Sequence, residues 1–139
     1  MSETAQAYQW VDSTMRADSA LMSAAVGGIW QGMADIGTQP PFVVYARQSG
    51  ADVLTMNAVR LWASILLQIK AVGPTSNYAT LVTMANRIDA LFKDVRSVGL
   101  AQGGILSCYR EQEFAMGELV AGAQWENVGG LYRIALQGS

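Results

Sequence analysis

Between Val59 and Val72 the chain alternates with period two. Val59, Leu61, Ala63, Ile65, Leu67 and Ile69 are separated by Arg60, Trp62, Ser64, Leu66, Gln68 and Lys70. In extended backbone successive side chains point to opposite sides, so this pattern predicts a strand with a buried face. Most strands run only five or six residues, and length alone would favour a helix. The alternation is nevertheless cleaner than any helical stripe through the same residues, and the run reads as one long strand. A strand of this length requires a sheet to pair with and a second layer to cover its apolar face.

That layer follows directly. Gly73-Pro74-Thr75-Ser76 is a break, after which Ser76 or Asn77 can cap a helix. Tyr78, Leu81, Val82, Ala85, Ile88, Leu91, Phe92 and Val95 keep the three-four spacing of one buried helix face. Arg87, Asp89, Lys93 and Asp94 fall off that stripe, with Asp89 and Lys93 in the favourable four-residue order. The segment Gly99 to Gly104 ends the helix.

Upstream, Thr4 to Arg16 reads as a helix with Ala5, Tyr8, Val11 and Met15 along one side. Its start is left open, since Ser2 with Ala5 three residues on does not make a capping box. Asp18 can cap a second short helix, Ser19 to Val26, which stops at Gly27-Gly28, where a glycine accepts a left-handed backbone. Ile29-Trp30-Gln31 is then a short extended piece. The Pro40-Pro41 pair launches a strand from Phe42 to Gln48, proline being tolerated where a strand begins. Gly50-Ala51-Asp52 reads as a turn, and Val53 to Met56 resumes the extended pattern.

Beyond the long helix the chain reads as β throughout. Ile105 to Phe114 is a strand. Leu119-Val120 and Ala123 to Trp125 flank a turn at Ala121-Gly122. Gly129-Gly130 suggests a bulge or tight turn, and Leu131 to Leu136 closes the sheet with Tyr132, Ile134 and Leu136 on one face. The predicted architecture is one α+β domain over residues 1–139. It has a helical N-terminus, a mostly antiparallel sheet and one long helix covering a sheet face.

The composition excludes most chemistry. There is no histidine, which removes the commonest general base and metal ligand. Cys108 stands alone, so no intramolecular disulfide can form and no zinc site of the usual kind is expected; among Leu106 and Tyr109 it reads as a small buried residue. Glu111, Glu113 and Glu118 form an acidic cluster. Glu111 and Glu113, two apart on a strand, should share a face, but the loop spacing of a calcium site is missing. Gly27-Gly28, Gly103-Gly104 and Gly129-Gly130 lack the continuation of a phosphate loop or a dinucleotide fingerprint. No catalytic, cofactor-binding or metal-binding residue is assigned, and no cofactor is expected.

The net charge is −2, from 9 basic and 11 acidic side chains, without the basic face that phosphate neutralisation needs. The apolar run at 59–72 is broken by Arg60, Ser64, Gln68 and Lys70, short of a membrane span, and no signal peptide is expected at the N-terminus. Only 14% of residues are charged, where about 25% is typical. With seven Met and with Trp10, Trp30, Trp62 and Trp125, this favours apolar surface buried against other chains over a monomer with an uncharged surface.

Four stretches, in order over most of the chain, carry a family resemblance: Val26-Gly27-Gly28-Ile29-Trp30, Pro41-Phe42-Val43-Val44-Tyr45, Ala85-Asn86-Arg87-Ile88-Asp89-Ala90-Leu91, and Arg110-Glu111-Gln112-Glu113-Phe114 through Gly129-Gly130-Leu131-Tyr132-Arg133-Ile134. Together they resemble the tail-terminator proteins of the siphophage tail-completion family, in the form common among phages of actinobacteria. The resemblance implies a structural, non-enzymatic virion protein, assembled in the host bacterial cytoplasm. It implies a homo-oligomeric ring, usually six-fold, seated on the last ring of the tail-tube protein. Such a ring stops tube polymerisation and offers the docking surface for the head-to-tail connector, while DNA passes through its lumen without specific binding. The matched glycines and Pro41 then read as fold determinants, and one or more of Glu111, Glu113 and Glu118 is expected to face the lumen. A stopper or head-completion ring of the neck is the nearest alternative. A small cytoplasmic α+β binding module is a second, from another class, and an enzyme is least supported.

Overall fold

The computed structural model describes residues 2–54, 56, 60–100 and 103–137. Two helices open the chain, α1 (Glu3–Arg16) and α2 (Ser19–Ala24), followed by strands β1 (Ile29–Gln31), β2 (Phe42–Leu54) and β3 (Arg60–Pro74). A 3-10 turn at Thr75–Asn77 leads into α3 (Tyr78–Phe92). Strands β4 (Asp94–Gly99), β5 (Gly104–Val120) and β6 (Ala123–Gln137) complete the chain. The six strands form one sheet in the order β1-β2-β3-β6-β5-β4. Among the described residues β1 and β2 run parallel and all other neighbours are antiparallel. This is the expected α+β architecture.

The long alternating strand is present as β3, though Val59 lies outside the described residues. Ala63, Ile65, Leu67, Ile69 and Ala71 are buried on one side. They register with Leu136, Ile134, Tyr132, Gly130 and Val128 of β6. All three helices contribute to the core over this face, through Val11 and Met15 of α1, Leu21 of α2, and Leu81, Met84, Ile88 and Phe92 of α3. Phe92 links the layers edge-on, its ring centroid 5.3 Å from Trp10 and 6.0 Å from Tyr132. Tyr132, Ile134 and Leu136 share this face, as expected.

Several boundaries differ from the sequence reading. Helix α1 starts at Glu3, capped by Ser2, whose Oγ accepts from the Ala5 N–H at 3.2 Å. Its buried side runs through Gln6, Ala7 and Trp10, while Ala5 is exposed. Helix α2 ends at Ala24, two residues before the expected Val26, and Gly28 rather than Gly27 takes the positive φ. Gly27 is required for closeness: a Cβ there would strike the carbonyl oxygen of Gln39. Neither Asp18 nor Asn77 caps with its side chain. The Asp18 carboxylate instead receives Arg87 Nε at 2.6 Å, tying α2 to α3.

Tertiary pairing overrides local turn chemistry three times. Gly50-Ala51-Asp52 is not a turn; these residues lie opposite Ile65, Ser64 and Ala63, so β2 runs unbroken to Leu54, with a bulge between Arg47 and Ser49. Gly73 and Pro74 belong to β3, and the break starts at Thr75. Gly129-Gly130 is neither bulge nor turn but straight strand, where the absent side chains let β3 and β5 approach: a Cβ on Gly129 would collide with the carbonyl oxygen of Ile69. The long helix ends at Phe92, not Val95, because Asp94–Gly99 pairs with β5 as β4. Within that helix Met84 is buried and Tyr78 is exposed, reversing the predicted stripe at those positions. Residues 101 and 102 of the predicted Gly99–Gly104 break lie outside the described residues. Ala121-Gly122 is the expected turn, with φ of 51° and 81°, values a tight two-residue hairpin demands.

Gly129→Ala should therefore lower stability by about 2–3 kcal/mol, because backbone, not a flexible side chain, must give way. Gly117→Ala, whose new methyl would make ordinary contacts with the Glu126 carboxylate at 3.5 Å and the Trp125 carbonyl at 3.8 Å, should stay within about 0.5 kcal/mol. Urea denaturation of the two variants checks the contrast.

Candidate functional site: open strand edges and an uncovered sheet face

Because the helices pack on one side, the other face of the sheet has no helical layer among the described residues. The even-numbered residues of β3 from Trp62 to Lys70 are only half-buried. Their β6 neighbours on this face include Leu131, opposite Gln68, and Arg133, opposite Leu66. At the end of the sheet near Pro74, a small apolar cluster of Phe42, Val44 and Val72 packs with Trp30, Ala34 and Trp125. The segment from Gly32 to Thr38 walls a groove here, and Val120 and Trp125 face it from the β5–β6 end. Large apolar side chains stand exposed around this end, Met33 at 79% and Leu119 at 78%. Leu54, Met56 and Leu61 do the same at the opposite end. The expected apolar surface therefore exists, concentrated at the two ends of the strands.

The two outer edges of the sheet are covered over only part of their length. β1 pairs with β2 from Val43 to Tyr45 alone, and the Arg47 N–H is satisfied by the Tyr8 hydroxyl at 2.8 Å. From Gln48 to Leu54, β2 has no strand on its outer side among the described residues. On the other edge β4 pairs with β5 only between Gly104 and Tyr109, leaving Arg110 to Val120 equally uncovered. These open segments lie at diagonally opposite corners. Ala51 registers with Ser64 of β3, whereas Ala115 registers through Val128 with Ala71. Long uncovered edges are templates for further strand pairing, and neither segment contains the proline that commonly blunts one.

The acidic cluster is divided by the fold. A register shift between Arg110 and Gln112 places a bulge at Glu111. Glu111 reaches Arg133 on the uncovered face, with both carboxylate oxygens within 3.2 Å of Nη2. Glu113, opposite Gly130, falls on the helix-bearing side. The expectation that Glu111 and Glu113 share a face is thus overturned by one extra residue in the ladder, for which the sequence carries no local signal. Glu118 accepts from Asn127 Nδ2 at 3.0 Å on the uncovered face. Nowhere among the described residues do three or more His, Cys, Asp or Glu side chains gather as a metal site would require. No helix there is long and apolar enough to cross a membrane.

The remaining polar groups hold layers together. Asp12 receives Arg16 Nε at 2.5 Å and the Tyr45 hydroxyl at 2.9 Å, and Arg16 also donates to the Ile29 carbonyl. Burial, reinforced by the Asp12 carboxylate, raises the Tyr45 pKa above its ordinary value. Burial likewise raises that of Tyr132, which donates to Asp89 at 3.1 Å, with Arg110 Nε 3.5 Å from the same carboxylate. Asp89 is thereby committed to β5 and β6 rather than to Lys93. Trp10 is a core residue, whereas Trp30, Trp62 and Trp125 are half-buried on the open side of the structure, Trp30 donating to the Gly27 carbonyl at 2.8 Å.

No family model and no curated protein matches the chain. Among solved structures, a chain from the virion of a native gene transfer agent (GTA) particle superposes with a TM-score of 0.78. The likeness covers 99% of this chain and 100% of that one, at 16% identity. It is a likeness of fold, and it extends from end to end.

Cys108 is buried, as expected, and burial pushes its thiol pKa up to about 12. Since the thiolate is the reactive form, it should resist a thiol reagent at pH 8 in the native protein and titrate stoichiometrically in denaturant. Fast native labelling would contradict this packing.

Proposed function

We propose that this chain is a structural protein of a phage-type virion, forming a ring at the head-proximal end of the tail tube. The observation that carries the reading is the end-to-end fold likeness to a chain of a gene transfer agent virion. It coincides with the sequence resemblance to siphophage tail terminators, which rests on different evidence. Open edges on opposite sides of the sheet support assembly through unlike surfaces, and a head-to-tail contact closes into a ring when its rotation closes. The exposed apolar residues at the two strand ends suit stacking between successive rings.

On this reading the mechanism is occupancy rather than catalysis. One end of the ring matches the growing face of the tube; the other lacks the surface that the next tube subunit needs and instead receives the connector of the filled head. The ring is homo-oligomeric, with six copies the number implied by the family resemblance. Its partners are the tail-tube protein and the head-to-tail connector. DNA traverses the lumen without specific binding, in keeping with a net charge of −2.

A nonsense codon at Trp30 in the phage genome tests this directly. Electron microscopy of the lysate should show tubes exceeding the normal tail length, no joined particles and full heads, with rescue by the intact gene in trans. Tails of normal length beside unjoined heads would contradict termination and point to the neck stopper instead.

A further inference from the structure

We propose that the groove at the Pro74 end of the sheet docks an extended segment of another protein, one that sets an apolar side chain against Val72 and Trp125 and a single carboxylate on Lys70. The groove is complete within one copy of the chain. The proposal therefore goes beyond the ring reading and does not depend on it.

The groove has the make-up of a binding site rather than of a surface irregularity. It has a volume of about 310 Å³, at the lower end of ligand-sized clefts. Its apolar floor carries Phe42 and Trp125, ring centroids 6.3 Å apart, with Val72 between their strands. One wall, the segment from Gly32 to Thr38, is pinned by its own bonds. Thr38 donates twice to the Asp35 carbonyl, from its N–H at 3.1 Å and its hydroxyl at 2.6 Å. The wall is thus held in place before any occupant arrives.

Two polar groups select the occupant. Asn127 lines the groove at 1% exposure. Its Nδ2 donates to Glu118 at 3.0 Å and to the Met116 carbonyl at 3.4 Å. With both amide hydrogens engaged, Oδ1 is the group left to accept a backbone N–H from a docked chain. Lys70 is half-buried in the same groove, and its ammonium stands 6.0 Å from the centre of the Phe114 ring. No carboxylate among the described residues lies within ion-pair distance of it. Anything that covers the groove takes this charge further out of water, which is costly unless the occupant brings a counter-charge.

The other charges set the pattern of the segment. Asp35 and Glu118 also line the groove, so a run of acidic residues would be repelled. Lys70, Gly129 and Phe114 stand in one row across the sheet, and Glu118 is four residues further along β5. Lys70 and Glu118 are thus about 13 Å apart along the strands and two strands apart across them, a span of about five extended residues. The matching segment has an acidic residue beside an apolar one, and a basic residue about five positions away.

Selection of random nonapeptides on the full chain tests this. Enriched peptides should share the acidic, apolar and basic order. For the tightest of them, made synthetically, Lys70→Gln should weaken binding at least about tenfold, the scale of one lost charge-assisted contact. Lys93→Gln, on the far side of the helical layer, should leave binding unchanged. Lys70→Glu should abolish binding and regain it when lysine replaces the acidic residue of the peptide, a rescue that a merely misfolded variant would not show. Failure to enrich any shared pattern, or binding indifferent to Lys70, would overturn the proposal and leave the ring reading untouched. A Lys70→Gln variant that changed the self-association of the chain but not its peptide binding would identify a second copy as the occupant, and would equally overturn it.

Discussion

The pairing of β3 with β6 is the constraint on which the rest of the structure depends. It runs from Ala63 opposite Leu136 to Pro74 opposite Trp125 and builds the centre of the core. Helices α1 and α3 seat on these strands and their neighbours, and α2 packs against the two helices. Gly129 and Gly130 make the pairing possible at its tightest point, by letting the β3 backbone and the Arg110 side chain approach where a methyl would intrude. Regular pairing here also fixes which residues face the helices and which remain open, since a one-residue slip would exchange the two faces.

Two consequences propagate outward. On the helix side, each helix is anchored by a polar tie as well as apolar packing: α1 through Asp12 to Tyr45, α2 through Asp18 to Arg87, and α3 through Asp89 to Tyr132. On the other side no helix is recruited among the described residues. The short β1 and β4 cover only parts of the outer strands, and apolar residues at the strand ends stand exposed.

The parts legible in the sequence were those governed by long, uninterrupted periodicity. The alternation in β3, the α3 stripe around Leu81 and Ile88, and the Tyr132-Ile134-Leu136 face all stand in the structure. So does the Ala121-Gly122 turn, whose residue types match its backbone. Misread elements were those where local chemistry and tertiary pairing disagree. Gly50-Ala51-Asp52 has turn composition, yet β3 draws it into a ladder. Gly129-Gly130 has breaker composition but serves as a flat contact surface. Asp18 and Asn77 have cap composition, while Asp18 is claimed by Arg87, sixty-nine residues away. The bulge at Glu111 separates two carboxylates that a regular strand would align, and the open edges emerge only from the lengths of β1 and β4 relative to their neighbours. Site geometry of this kind resides in pairing partners, which a single sequence does not display.

The proposed role is tested most directly by cryo-electron microscopy of intact virions, if the source of this chain produces them. A single ring of this chain directly on the last tube ring is the result the proposal predicts. A ring set against the portal side, or a particle lacking the chain altogether, would contradict it.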